Sequence, residues 1–164
     1  MAPIAPDRAI FLDDYIATRD VDIAELGAIA TLAPKPGKAG EIFAKLTGAS
    51  PHFATYRKGE VPARFHYDTN ARIAPIILMA DEGWMFTTRD RYAKHKPMGG
   101  AHGFDNQLAS MGALFVAAGP AFRQGLTVPA FQNIHVYDLI CRVLGITPAR
   151  NDGSLDSTRV MLRP

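Results

Sequence analysis

Histidine is the side chain best suited to bind a transition metal or move a proton near neutral pH, and this chain has five: His52, His66, His95, His102 and His135. No two stand three or four residues apart, the relation that sets a pair on one helix face for a shared metal, so spacing alone encodes no complete metal site. His52 and His66 lie beside aromatic residues in or next to predicted strands and read as hydrogen-bonded structural histidines. His102 differs. It sits in Pro97-Met-Gly99-Gly100-Ala-His102-Gly103, just ahead of an apolar run, and open α/β sheets gather their ligands where loops meet strand ends. Glycines on either side, Gly100 and Gly103, let the backbone turn and let an ion or a phosphate approach closely. From these surroundings both a ligand role and a structural role fit His102. Asp105 and Asn106 follow at the third and fourth positions and are of the type that orients a loop through side-chain to backbone hydrogen bonds.

Other chemistries lack their signatures. Cys141, the single cysteine, lies in the apolar run 136–144 with no base beside it, so it reads as a small buried hydrophobe rather than a nucleophile. Neither a Gly-x-Ser-x-Gly elbow, nor a P-loop, nor a dinucleotide glycine fingerprint occurs. Eighteen basic and sixteen acidic residues leave a net charge of +2 without a long run of like charge, which gives no support to a nucleic-acid duplex as partner. The basic segment 89–96 reads as a solvated loop. No stretch approaches the ~20 consecutive apolar residues of a membrane span, and the first residues lack the features of a signal peptide, so neither anchor nor signal is expected within the stretch.

The elements that must position His102 follow from patterning. With 48% apolar and 21% charged residues, the 164-residue chain is of globular composition, and a chain of that size buries roughly 70% of its unfolded surface. Residues 1–7 read as an extended lead-in, 9–15 as a short apolar stretch, and 21–32 as one strand stopped by the turn at Pro34-Lys-Pro36-Gly37. A short helix over 40–46 closes at Gly48, a strand over 53–57 follows, and Glu60-Val-Pro62 breaks the chain before Phe65-His66-Tyr67. The strongest strand signal is 73–79; Asp81-Glu-Gly83 then leads to a strand over 84–87, paired with it as a hairpin or set beside it. The glycine stretch 97–103 is predicted irregular, feeding a buried strand over 114–118 in the same sheet as 73–79. A helix over 133–144, capped by Asn133 and Gly145, is predicted to pack on that sheet.

The run Gly99-Gly-Ala-His102-Gly-Phe-Asp-Asn106, then Met111, Phe115-Val-Ala-Ala-Gly-Pro-Ala-Phe122, Phe131-Gln-Asn133 and Tyr137, resembles the C-terminal signature of the nucleotide pyrophosphatase/phosphodiesterase family of the alkaline phosphatase superfamily. Lys58-Gly-Glu-Val-Pro62-Ala-Arg-Phe-His66-Tyr and Leu144-Gly-Ile-Thr-Pro148-Ala-Arg-Asn151-Asp-Gly-Ser-Leu155 are similar to it as well, so the resemblance covers most of the chain. It implies an α/β fold, the C-terminal portion of an alkaline-phosphatase-like mixed sheet flanked by helices. Residues 1–164 would form a single C-terminal segment of a type I phosphodiesterase/nucleotide pyrophosphatase catalytic domain, without its N-terminal half.

By that resemblance the complete site holds two zinc ions, His102 is a ligand of one of them, and Gly100, Gly103, Asp105 and Asn106 orient its loop. The family's nucleophilic threonine, its Asp-x-x-x-His pair and its Asp-His-Gly-Met motif are missing, and Met1 stands at the spacing of that last methionine. For the whole enzyme the resemblance implies in-line attack by a threonine alkoxide on a phosphodiester or pyrophosphate of a nucleotide, and hydrolysis of the covalent intermediate by water. It also implies export to the periplasm or cell surface. The isolated chain is expected to be inactive. The alternative is a self-standing, non-catalytic binding domain derived from the fold, and the oligomeric state stays open.

Overall fold

Pro3 and Pro6 favour extended backbone, and the chain opens with two short strands, β1 (Ala2–Ile4) and β2 (Ala9–Phe11), on either side of a 3-10 turn at Pro6–Arg8. Then follow β3 (Val21–Glu25), β4 (Ile29–Pro34), α1 (Ala39–Leu46), β5 (Phe53–Arg57), β6 (Ile76–Ala80), β7 (Met85–Thr87), α2 (Arg89–Lys94), β8 (Gly99–Ala101) and α3 (Val136–Leu144). The computed structural model describes residues 1–67 and 70–164, which form an N-terminal unit, Met1–Ala113, and a C-terminal unit, Leu114–Pro164.

In the N-terminal unit the larger sheet has four antiparallel strands in the order β3-β4-β6-β5. Successive side chains of a strand point to opposite faces, and β6 is covered on both. Ile76 and Leu78 join Leu12, Leu32, Ile42, Leu46 and Phe53 on one face, while Ile77 joins Val61 and Ile73 on the other. A strand buried twice over must read as an unbroken apolar run, which is why 73–79 gives so strong a signal. Each buried Leu or Ile there contributes about 1.5–3 kcal/mol. Helix α1 buries Ile42 and Leu46, ends before Gly48 at φ 68°, and is tied to β5 by the Thr55 hydroxyl, which donates to the Leu46 carbonyl at 3.0 Å.

Several predicted elements change here. The single strand over 21–32 is a hairpin, because Gly27 interrupts it and lets β3 fold back on β4 with a bulge between Ile23 and Glu25. Strand 73–79 starts at Ile76, since Pro75 has no N–H to give to a ladder. Of residues 84–87, Met85–Thr87 form β7, but β7 does not pair with β6, whose two edges are taken by β4 and β5. The turn after β6, closed by Trp84 N–H donating to the Asp81 carbonyl at 3.0 Å, sends β7 to lie parallel to β2 instead. The glycine stretch is partly regular: β8 pairs antiparallel with β1, where Ala2 and Ala101 are small enough to face each other inside a buried cluster. The basic segment 89–96 holds a helix rather than a loop, started by the Thr88 hydroxyl accepting from Arg91 N–H at 3.2 Å, and its side chains remain at the surface.

The C-terminal unit departs furthest from expectation. Residues 114–118 form no strand, with Leu114 90% and Val116 75% exposed and no ladder partner among the described residues. Apolar, β-prone residues make a strand only where they pair with an edge and a layer covers them, and among the described residues this segment pairs with none and stays largely exposed. It therefore does not share a sheet with β6. The predicted helix over 133–144 begins as a 3-10 turn at Asn133–His135; Asn133 lies inside that turn and its side chain caps nothing. Gly145, at φ 68°, ends α3 as expected. Leu139 and Cys141 are buried, whereas Tyr137, Ile140, Val143 and Leu144 form an exposed stripe on another face of the helix. An isolated bridge between Phe122 and Leu162, flanked by Arg123 N–H to Met161 and Arg163 N–H to Ala121, each 2.9 Å, closes the unit's two ends on each other.

Candidate functional site

His102 is the first residue after β8, and both neighbours of its segment are fixed. On one side Ala101 is buried in register with Ala2; on the other Phe104 is buried against Ala2, Ala28 and Ala101. Between these anchors Gly103 takes φ 91°, a conformation that side chains rarely adopt, and a Cβ there would meet that of Ala28 at 3.7 Å. The result is a two-residue excursion that puts His102 at the surface. Gly99 also has positive φ, at 89°, but Gly100 does not: it lies within β8 opposite Pro3, in strand backbone that any residue adopts.

A cavity of about 390 Å³ opens beside this excursion, lined by Glu25, Ala28, Met85, Gly100, Ala101 and His102 among others. Its walls come from the β3–β4 turn, β7, β1 and β8, so short strands and a hairpin, rather than helices, hold it. The His102 ring makes no hydrogen bond or ion pair with any described residue.

The loop beyond His102 is held from a distance. Arg64, in a 3-10 turn at Ala63–Phe65, forks onto Asp105: Nη1 donates to Oδ1 at 2.6 Å and Nη2 donates to Oδ2. Nη1 also reaches the Asn106 carboxamide oxygen at 3.2 Å. Asp105 accepts in addition from the Gln107 N–H at 2.9 Å, as an aspartate that closes a turn does. The guanidinium hydrogen bonds hold the Asp105 carboxyl below the usual carboxylate range against the opposing effect of burial, and the same bonds raise Arg64 above its ordinary value.

The other histidines are placed differently. His52 stacks on Trp84 with ring centroids 3.7 Å apart and stands 3.6 Å from Asp81. His66 follows the Arg64 turn in left-handed backbone at φ 50°. His135 Nδ1 accepts from the Ser154 N–H at 3.0 Å. Cys141 is buried, as its sequence context implies. Two residues of the site escape the sequence pattern. Arg64 sits 41 positions from Asp105, with only its place inside the family-like run 58–67 to draw attention to it. Glu25, at the end of β3, has no local signal.

A catalytic zinc takes three protein ligands. The residues of this chain do not supply them: among the described residues no group of three or more His, Cys, Asp or Glu is gathered closely enough to hold a metal ion. His102 is a single imidazole at a cavity, and no metal-dependent step can be built on it from this chain alone.

The fold has solved counterparts. Human ectonucleotide pyrophosphatase/phosphodiesterase 5 matches with a TM-score of 0.90 at 36% identity, over 99% of this chain and 42% of that one. An inactive form of the murine protein, solved in complex with AMP, matches with a TM-score of 0.89 at 34% identity over 98% and 42%. These set the architecture as mixed α/β of the alkaline-phosphatase-like kind, in part of its extent. The family model for type I phosphodiesterase / nucleotide pyrophosphatase matches residues 1–105, and the chain belongs to that family. Among curated relatives, bis(5'-adenosyl)-triphosphatase enpp4 of Xenopus laevis is 37% identical over 99% of this chain and 35% of its own length. Human ectonucleotide pyrophosphatase/phosphodiesterase family member 5 is 37% identical over 99% of this chain and 33% of its own. The chain thus spans about a third of the length of the curated relatives it matches. No helix among the described residues is long and apolar enough to cross a membrane.

Proposed function

We propose that residues 1–164 are one C-terminal segment of a zinc-dependent phosphodiesterase/nucleotide pyrophosphatase catalytic domain, and that this segment by itself does not catalyse hydrolysis. In the complete enzyme His102 serves as one ligand of a site for two zinc ions, and the substrate is a nucleotide or another compound with a phosphodiester or pyrophosphate bond. Gly103, Asp105 and Asn106 orient the loop that carries His102, and Gly100 keeps β8 slim beside it. Relatives named for bis(5'-adenosyl)-triphosphate and for nucleotide pyrophosphate cleavage, and a murine relative solved with AMP, support the substrate class. The same kinship supports a periplasmic or extracellular setting.

One observation carries this proposal: His102 projects from a strand end at the rim of a cavity, on a glycine excursion anchored at both sides, with a ring that no described residue engages. A structural histidine would spend its nitrogens on neighbours, as His135 does. Titration calorimetry of the purified chain with zinc, beside His102→Ala, tests it. Weak binding that His102→Ala abolishes is the expected result. A tight site that survives in His102→Ala would assign the metal to other residues and overturn the proposal.

The alternative, a self-standing binding domain without catalysis, draws support from the well-buried core of the N-terminal unit, where Leu12, Leu32 and Leu78 are all 0% exposed. A nucleotide bound at the cavity with no dependence on zinc or on His102 would favour it.

A further inference from the structure

The Arg64 fork has no part in any role so far given to this family segment, and its geometry points to one. We infer that Arg64 is a positioning residue for His102: it fixes the loop 103–106 to the far face of the main sheet and thereby sets where the imidazole points.

The chain of contacts is continuous. Ile77 of β6 is buried in a cluster with Val61 and Ile73, and Phe65 packs against that cluster. The Arg64 guanidinium lies over the Phe65 ring at 4.0 Å, which holds its plane in place before it meets a carboxylate. From there the fork reaches Asp105 through both guanidinium nitrogens and Asn106 through one. A planar, two-point contact fixes orientation as well as distance, which a single ammonium cannot do. The fork lies only three residues beyond His102, and the intervening Gly103 has the backbone freedom to pivot. Ala101 and Phe104 fix the position of the excursion; Arg64 fixes its rotation. Side chains of Arg64 and Asp105 are 36% and 35% exposed, so water reaches the pair and its two-point geometry, rather than burial, is what fixes the loop.

Reading His102 as a zinc ligand supplies a purpose for this clamp, but the test does not depend on it. Heteronuclear NMR on the full chain, without metal, reads the backbone order of residues 102–106 and the exchange of the Gln107 and Leu108 amides, which donate to Asp105. In Arg64→Met and in Asp105→Asn, the backbone of residues 102–106 is expected to lose order in nitrogen relaxation, and the Leu108 amide, which donates to the Asp105 carbonyl, to exchange about tenfold faster, while the amides of β4 and β6 stay as they were. Arg64→Lys should restore only part of the order, because it keeps the charge and loses the fork. The double variant Arg64→Met with Asp105→Asn should match either single one, as two members of one contact do. Unchanged backbone order at His102 in Arg64→Met would overturn the inference, and so would full rescue by Arg64→Lys. A loop that is ordered by Arg64 yet whose His102 ignores added zinc would sink the ligand reading of His102 and leave the clamp standing.

Discussion

The two units of the chain treat apolar residues in opposite ways. In the N-terminal unit β6 is enclosed on both faces, and Leu78, Leu32 and Leu12 are fully buried. In the C-terminal unit Leu114, Val116, Ile140 and Leu144 are 90, 75, 51 and 65% exposed. Composition does not separate them, since both carry strand- and helix-forming apolar runs. What differs is cover: residues 1–113 contain the strands, two helices and the loops that close a core, whereas residues 114–164 hold one helix and several turns, too few layers to bury both sides of α3.

That contrast can be broken most forcefully in the N-terminal unit. Leu78→Ala should lower stability by about 2–5 kcal/mol, measured by urea unfolding, because the cavity it leaves is walled by β4, β5 and α1 and cannot collapse. A loss near zero would mean the core is not the support of the unit.

The next largest effect falls at the one tight point of the C-terminal unit. A Cβ on Gly153 would collide with the Ile134 carbonyl and the side-chain oxygens of Asp138 and Asn151. Gly153→Ala is therefore expected to cost about 1–3 kcal/mol and to loosen the start of α3, seen as faster exchange of the amides in its first turns.

Acid supplies a gentler test. Because Arg64 holds the Asp105 carboxyl below its ordinary value, the unfolded chain binds that proton more readily than the folded one. The contribution is fully present above the unfolded value of about 3.9 and is lost as pH falls through the lower folded value. The stability gap between the native chain and Asp105→Asn should therefore hold at neutral pH and close under strongly acidic conditions; a gap that widened as pH fell would reverse the assignment.

Smallest of all is the effect expected in the exposed stripe. Ile140→Ser should change unfolding free energy by no more than about 0.5 kcal/mol, and should reduce binding of a hydrophobic dye and self-association. A large loss of stability would show that Ile140 is covered in solution.

Local pattern was a good guide where structure is local. The limits of β5, the existence of α1, the stop at Gly145 and the burial of Cys141 all follow from periodicity, turn residues and context. It failed where pairing decides. Nothing in residues 84–87 says that both edges of β6 are occupied, and nothing in Leu114–Val116 says that they pair with no strand among the described residues. The same divide runs through the site. His102 and its glycines are visible as a sequence motif, and Asp105 and Asn106 with them, but their partner Arg64 is brought in by the β5–β6 connection, a long-range fact that no spacing rule carries.

The central claim is that this chain holds one part of a catalytic site and not the site itself. A chromogenic phosphodiester assay of the purified chain with excess zinc, run beside His102→Ala, tests it most directly. A single imidazole falls short of the three protein ligands a catalytic zinc takes, so the native chain and the variant should be alike at background. Hydrolysis above background that disappears in His102→Ala would contradict the claim, because a working site would then have been assembled from these 164 residues alone or from copies of them.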